Sequence, residues 1–178
     1  METFRDPSAL ATVLSDVDSP ITIDGFHGAG KSRLGKVLAT RLGRPLIELD
    51  VYLRNGEGRF VEALRFQELA GTIAAAARPV ILEGICVLKV AEKLGLRAIT
   101  VYVRKLEREG MWLREQYLDL ERGAEALIED IREKDRLAAL HEEPEDDGSE
   151  EGLLFEVIRY HHEYRPHLSS DYYCDRVA

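Results

Sequence analysis

Eight residues from Gly25 to Ser32 have the composition and spacing of a phosphate-binding loop. They read Gly-Phe-His-Gly-Ala-Gly-Lys-Ser and match the pattern G-x-x-x-x-G-K-[ST] at every fixed position. Glycines let such a loop curl so that successive N–H groups point at phosphate oxygens, and the helix that follows adds its positive end. Lys31 would bring a cation to the β and γ phosphates, and Ser32 would offer a hydroxyl to Mg²⁺. The motif therefore predicts a site for ATP and Mg²⁺.

The nucleotide-binding residues expected from this motif include the whole loop and its next neighbour. They are Gly25, Phe26, His27, Gly28, Ala29, Gly30, Lys31, Ser32 and Arg33. His27 and Arg33 belong to this set by position, and either side chain can also simply face solvent. A dinucleotide-binding pattern does not fit, because G-x-G-x-x-G would need a glycine where Arg33 stands.

Carboxylates follow two of the apolar runs that read as strands. Asp50 follows Leu-Ile-Glu-Leu, and Glu83 follows Val-Ile-Leu. Ligands bind at the carboxyl ends of parallel strands, so both acids are expected near the phosphate loop. Glu83 is a candidate Mg²⁺ ligand with Ser32, and it also belongs to the expected substrate-binding set with Asp50 and Tyr52. Asp50 could deprotonate an acceptor hydroxyl, while Tyr52 could stack on the acceptor. Either acid could instead be an ordinary turn residue.

The composition excludes several other classes of protein. The 178 residues carry 33 acidic and 24 basic side chains, a net charge of −9, but seven of the acids lie in residues 141–151. Without that stretch the balance is 26 to 24, so no basic surface predicts nucleic-acid binding. No apolar run approaches the ~20 residues of a membrane span. The two cysteines, Cys86 and Cys174, form neither a disulfide framework nor a zinc pattern. We expect a soluble, cytoplasmic protein without a membrane partner.

Helical and strand patterns alternate along the chain, which predicts a parallel sheet covered by helices on both faces. We expect one three-layer α/β/α domain over residues 1–178, with five parallel strands, a helical lid at 104–140 and an acidic loop at 141–152. Helices are expected at 6–17, 32–42, 61–77, 87–94, 106–140 (with a break near Gly123) and 153–164. Strands are expected at 21–23, 45–49, 80–82, 98–103 and 171–174. The histidines at 161, 162 and 167 are expected at the surface or in packing, not around a metal.

Several segments together resemble the uridine kinase and phosphoribulokinase-like family of P-loop kinases. They are the phosphate loop at 25–32, the Asp-x-Tyr element at 50–52, the strand at 80–85, Val-Tyr-Val at 101–103 and the tail at 164–172. The resemblance implies transfer of the ATP γ-phosphate to a hydroxyl of a nucleoside or similar small metabolite. It implies that Asp50 is the general base on the acceptor side and that Glu83 is the carboxylate on the Mg²⁺ side. It also implies that arginines after Val103 belong to a lid that closes over the phosphates. Lys31, Asp50 and Arg108 are thus the expected catalytic residues, with Arg114 and Arg104 as further lid candidates. It also puts residues 175–176 near the adenine.

Three alternatives remain open at this stage. A nucleoside monophosphate kinase would need a basic acceptor pocket, for which Arg54, Arg59 and Arg65 are the candidates. A nucleotide-binding regulatory protein would keep the loop but lack transfer, and a kinase acting on a sugar nucleotide would differ in its acceptor. A switch GTPase is disfavoured because no N-K-x-D sequence is present. The segment that reads the base in uridine kinases has no clear counterpart, so the acceptor stays undetermined, as do ATP against GTP preference and a possible homodimer.

Overall fold

The computed structural model describes residues 2–54, 60–108, 110–139 and 149–177. Its helices are α1 (Pro7–Val13), α2 (Lys31–Leu42), α3 (Phe66–Ala75), α4 (Val87–Lys93), α5 (Ala124–Ala139), α6 (Ser149–Tyr164) and α7 (Pro166–Ser169). Its strands are β1 (Glu2–Phe4), β2 (Ile21–Asp24), β3 (Leu46–Glu48), β4 (Ile81–Glu83), β5 (Ile99–Leu106) and β6 (Tyr172–Val177). Short 3-10 helices occupy Leu49–Tyr52 and Glu115–Leu118.

The strands form one parallel sheet in the order β1-β6-β5-β2-β4-β3. The strand β2 lies in the middle, and its Ile23 is in register with Glu83 of β4 and with Val101 of β5. The carboxyl ends of these three strands therefore meet at one edge of the sheet. Whatever follows β2 in sequence, which here is the phosphate loop, lies between the residues that end β4 and β5.

Two apolar layers cover the two faces of the sheet, which confirms the predicted three-layer α/β/α architecture. On one face Leu10 of α1 and Leu34 of α2 pack with Ile23 of the central strand. On the other face Leu69 of α3 and Val157 of α6 belong to the second cluster, together with residues of β4 and α4. Side chains of a strand point alternately to the two faces, so an apolar run serves both layers. A smaller cluster joins α5 to α6.

The sheet has six strands, and the prediction of five was wrong. The additional strand β1 has three residues, of which only Phe4 is buried, and it pairs with β6 at the sheet edge. Such a short edge strand has no apolar run to reveal it. The last strand also continues beyond the predicted 171–174 and reaches Val177, which puts Asp175 and Arg176 inside the sheet.

Two predicted helices were too long. The helix expected at 61–77 begins only at Phe66, because Leu53 and Leu64 form an antiparallel bridge before it. The helix expected at 106–140 with a break near Gly123 was wrong for the part before the break, while the part after it is helix α5. The strand β5 runs to Leu106, a turn brings Leu113 N–H back to the Lys105 carbonyl at 3.0 Å, and helix α5 starts at Ala124. Most of the acidic stretch, residues 140–148, lies outside the described residues.

Two further expectations concern cysteines and membranes. Cys86 and Cys174 are both buried as free thiols. Among the described residues, no helix combines the length and the hydropathy required to cross a bilayer.

Candidate functional site

The phosphate loop joins the buried end of β2 to the first turn of α2. Gly25, Gly28 and Gly30 all have positive φ angles, of 144°, 69° and 97°. At Gly25 the need for glycine is also steric, because a Cβ there would lie 2.6 Å from the backbone carbonyl oxygen of Val103 in β5. This close approach holds the loop against the sheet edge, with the helix N-terminus behind it, as the motif predicts.

Lys31 begins helix α2, and its ammonium group is turned into the loop. Its Nζ donates hydrogen bonds to the carbonyl oxygens of Gly25 at 3.0 Å and Phe26 at 2.9 Å. Burial lowers the pKa of Lys31, while the nearby carboxylates of Asp24, Glu83 and Asp50 act to raise it. The lysine is thus held at the centre of the loop by groups that an incoming phosphate can replace.

Asp24 is a buried carboxylate beneath the loop, and the sequence reasoning did not select it. It is fully buried and accepts hydrogen bonds from its neighbour Gly25 N–H at 2.6 Å and from the Tyr160 hydroxyl of α6. Burial raises the pKa of Asp24 to about 6, although both hydrogen bonds and the charge of Lys31 act to lower it. The Tyr160 oxygen also accepts the Leu88 N–H at 3.2 Å. Asp24 therefore ties the loop to helix α6.

Seven of the predicted site residues line one cavity of about 400 Å³, among them Lys31, Ser32, Glu83 and Asp50. Lys31 and Ser32 line it from the loop, Glu83 from the end of β4, and Asp50 from the 3-10 helix after β3. Burial raises the pKa of Glu83, and a hydrogen bond from the Ser32 hydroxyl acts in the opposite direction. Ser32 and Glu83 present hard oxygen donors, which fit Mg²⁺ beside bound phosphates.

Part of the cavity lining is an apolar wall. Leu53, Phe60, Ile85 and Leu153 form it. Tyr52, predicted to bind the acceptor, lies elsewhere: its hydroxyl donates to Thr72 Oγ1 of α3 at 3.0 Å. Phe60 is the aromatic residue at this wall. The sequence reasoning missed it because its neighbours in space come from distant segments.

The arginines after β5 do not lie where a continuous lid helix would put them. Arg108 occupies the exposed turn between β5 and the returning strand-like segment. Arg114, further along, reaches the loop, with Nη2 3.2 Å from His27 Nε2. Arg104 lies in β5 and pairs with Asp175 at 2.6 Å instead of sharing a helix face with Arg108.

A second arginine reaches the loop from the last strand. The Nη1 of Arg176 donates to the Ala29 carbonyl at 3.4 Å, and a Cβ on Gly30 would lie 1.4 Å from that nitrogen. Arg33, expected beside the nucleotide, is exposed on α2. Two arginines from segments distant in sequence therefore contact the loop, Arg114 at His27 and Arg176 at Ala29.

The histidines of the tail are packing residues. His161 is buried, stacks on Phe26 of the loop with ring centroids 4.2 Å apart, and shares a hydrogen bond of 2.8 Å with the Tyr102 hydroxyl. Burial lowers the pKa of His161 to about 3 and that of His167 to about 4, so both rings are neutral at pH 7. Helix α6 thus meets the loop through Tyr160 and His161 together.

A nucleoside monophosphate kinase would need a basic acceptor pocket, and the structure describes two of its three candidate residues, Arg54 and Arg65. The Arg65 guanidinium donates to the carbonyls of Val51 at 2.7 Å and Tyr52 at 3.3 Å and pairs with Glu68 at 2.6 Å. Arg65 is therefore engaged in holding the chain that precedes α3. Arg54 is exposed, and Arg59 lies outside the described residues.

Comparisons with known proteins give a local likeness. No family model matches the chain. A shikimate kinase from Dehalococcoides mccartyi (strain ATCC BAA-2100 / JCM 16839 / KCTC 5957 / BAV1) is 35% identical over 66 residues, which is 37% of this chain and 37% of that relative. The match thus spans little more than a third of the relative's length. A solved structure described as a "putative kinase" from Chloroflexus aurantiacus aligns over 90% of this chain and 88% of its own, with 18% identity and a TM-score of 0.40. One stretch of the chain is similar to a shikimate kinase.

Proposed function

We propose that the protein is a small-molecule kinase that moves the γ-phosphoryl group of ATP to a hydroxyl group, with Mg²⁺ as cofactor. The observation that carries this proposal is the single cavity shared by Lys31, Ser32, Glu83 and Asp50. A phosphate loop alone is found in switches, motors and kinases. Transfer to an alcohol also needs a carboxylate in the same cavity, and Asp50 lines this one. The local likeness to a shikimate kinase supports the same reaction class.

The reaction assigns one task to each of these side chains. Lys31 exchanges the carbonyls of Gly25 and Phe26 for phosphate oxygens when the nucleotide binds. Ser32 and Glu83 would hold Mg²⁺, which neutralises charge on the phosphates. Asp50 orients the acceptor hydroxyl and takes its proton. The hydroxyl oxygen bonds to the γ-phosphorus, the bond to the β–γ bridging oxygen breaks, and ADP, a phosphate ester and a proton are formed.

We assign the arginine that neutralises the transferring group to Arg114, in place of Arg108. Arg114 reaches the loop through His27, whereas Arg108 lies in an exposed turn. A guanidinium can bind two phosphoryl oxygens at once, which suits the charge that spreads over them during transfer. Replacing each arginine separately by alanine decides between them. A larger loss of kcat in Arg114→Ala supports the assignment, and a larger loss in Arg108→Ala returns the role to Arg108.

The acceptor is proposed to be a nucleoside or a similar small metabolite, as in the uridine kinase family that the sequence resembles. A nucleoside monophosphate kinase is less well supported, since Arg65 is engaged with carbonyls and Glu68. A nucleotide-binding regulator would not need a carboxylate at the position of Asp50. The cell compartment and oligomeric state implied by the sequence, a cytoplasmic protein and a possible homodimer, remain part of the proposal.

The test is ADP release from Mg·ATP with a panel of nucleosides, nucleotides, vitamins, small sugars and shikimate. We expect an acceptor to stimulate release in the wild type, and Lys31→Ala to abolish it. Asp50→Asn should lower kcat by about 10²-fold or more, the size of a lost general base, while ATP still binds. If ATP binds and no acceptor stimulates release, the kinase proposal fails and the regulatory alternative replaces it. If Asp50→Asn keeps full turnover, the base assignment is wrong.

A further inference from the structure

Two opposite charges are buried at the phosphate loop, Asp24 at the end of β2 and Lys31 at the start of α2. Burial raises the pKa of Asp24 and lowers the pKa of Lys31, and the charge of each group acts against the shift of the other. A carboxylate and an ammonium group attract strongly where the dielectric constant is low, so an ion pair would be expected. In the part of the chain that the structure describes, however, neither group has the other as a partner.

Neutral groups hold each of the two charges instead. The Nζ of Lys31 donates to the carbonyl oxygens of Gly25 at 3.0 Å and Phe26 at 2.9 Å. One oxygen of Asp24 accepts the Gly25 N–H at 2.6 Å, and the other accepts the Tyr160 hydroxyl. A neutral partner is given up more easily than a buried opposite charge, because hydrogen bonds between ionised groups are the stronger ones. The ammonium group of Lys31 therefore stays available to a phosphate.

The contacts of Tyr160 direct its hydroxyl at Asp24. Its oxygen accepts the Leu88 N–H of α4 at 3.2 Å, and an ionised carboxylate can only accept, so the hydroxyl proton belongs to the bond with Asp24. The side chain is 2% exposed, and its ring stacks on Tyr164 with the centroids 5.2 Å apart. The hydroxyl is thus held in one place and one orientation by helix α6 and the start of α4.

Removal of this hydroxyl would leave one oxygen of Asp24 without its donor. A buried charged acceptor in that state is unfavourable, and the charge of Lys31 already acts on this carboxylate. The ammonium group would then turn from the carbonyls of Gly25 and Phe26 to Asp24. An incoming phosphate would have to displace a charged partner in place of two neutral ones, so the nucleotide would bind more weakly.

We propose that Tyr160 is a positioning residue of the nucleotide site: its hydroxyl occupies Asp24 and so keeps the ammonium group of Lys31 available to the β-phosphate. Tyr160 acts on the nucleotide through these two residues and not by contact. This inference rests on the nucleotide-binding part of the proposed function. It adds to that site a residue of helix α6 that lies far from the phosphate-loop motif in sequence.

The experiment is a double-mutant cycle on the dissociation constant of Mg·ADP, measured by calorimetry at pH 8, where Asp24 with its pKa of about 6 is ionised. Tyr160→Phe should raise the dissociation constant about fivefold or more, the lower end of the usual coupling between two sites. In the Asp24→Asn background no carboxylate can capture Lys31, so Tyr160→Phe should change the constant by less than about twofold. A merely structural role of Tyr160 would give the same loss in both backgrounds.

Tyr164→Phe is the matched control, because Tyr164 lies on the same helix and its hydroxyl also donates to a carboxylate, that of Glu92. This variant should bind Mg·ADP within about twofold of the wild type. AMP is the matched control ligand, since it lacks the β-phosphate that Lys31 contacts. We expect Tyr160→Phe to weaken the binding of ADP and to leave that of AMP near the wild-type value.

A crystal structure of the wild type with Mg·ADP tests the inference even if Tyr160→Phe does not fold. We expect the Tyr160 hydroxyl still on Asp24 and the Nζ of Lys31 on the β-phosphate. An ion pair between Asp24 and Lys31 within about 4 Å in that structure would overturn the inference. Equal losses in the two backgrounds of the cycle, or equal losses for ADP and AMP, would overturn it too and leave the kinase function standing. A wild type that binds no Mg·ADP would overturn both proposals, whereas the expected cycle without ADP release from any acceptor would refute only the transferase.

Discussion

Asp24 offers a quantitative test of the buried network beneath the phosphate loop. Burial raises its pKa from 3.8 to about 6. Each pKa unit corresponds to about 1.4 kcal/mol, so ionised Asp24 lowers the free energy of unfolding by about 3 kcal/mol. The sign follows from the direction: because the folded-state pKa is raised, the folded state binds more protons between pH 4 and 6. This component of stability is present below pH 4 and is lost as the pH rises through 6.

The perturbation is Asp24→Asn, and the assay is urea unfolding from pH 4 to pH 8. Asparagine cannot ionise, so the difference in unfolding free energy, variant minus wild type, should rise by about 2–3 kcal/mol between pH 4 and pH 7. The amide cannot reproduce both hydrogen bonds, from Gly25 N–H and from the Tyr160 hydroxyl. The lost hydrogen bond changes the difference in unfolding free energy by the same amount at every pH. It therefore does not alter how that difference depends on pH.

Asp18→Asn is the control, because Asp18 is an exposed carboxylate that precedes β2, whereas the buried Asp24 ends it. It should show a flat difference over the same pH range. A difference for Asp24→Asn that is independent of pH, or that falls as the pH rises, would refute the claim that a desolvated carboxylate lies under the loop.

Three other substitutions test buried packing and the helix propensity of α3. His161→Phe should reduce the loss of stability that the wild type shows on acidification. Burial lowers the folded-state pKa of His161 to about 3, so the histidine is protonated only in the unfolded state as the pH falls below about 6.5, and the folded protein loses stability. Urea unfolding at several pH values measures this dependence. Gly84→Ala should destabilise by about 1–3 kcal/mol, because its Cβ would lie 2.8 Å from Leu49 Cβ, and a thermal melt checks this. Gly71→Ala, in the exposed part of α3 with no atom near its Cβ, should instead stabilise by about 0.5–1 kcal/mol in the same melt.

The parts of the site that could be predicted from sequence are those whose residues are adjacent in sequence. The phosphate loop has all its fixed residues within eight positions, and Glu83 follows a short apolar strand directly. The parts that could not be predicted depend on tertiary contacts. Asp24 acquires its environment from Tyr160, more than a hundred residues away, and the apolar wall of the cavity includes Leu153 of α6.

The helix predicted to begin at residue 106 was wrong for a different physical reason. The residues after Val103 are Arg-Lys-Leu-Glu-Arg, which favour a helix by local propensity. Pairing with β6 overrides that propensity and extends β5 to Leu106. The chain then turns back, so Arg114 reaches the loop and Arg108 does not. The local sequence does not reveal that β6 will pair with these residues and keep them extended.

The most direct test of the central claim is ³¹P NMR of Mg·ATP incubated with the protein and an uncharged alcohol such as uridine. We expect a phosphate-monoester resonance to grow in step with ADP in the wild type and to be lost in Asp50→Asn. Growth of inorganic phosphate alone, at equal rates in the two proteins, would contradict the account, because the cavity at Asp50 would then not deliver the phosphoryl group to a hydroxyl.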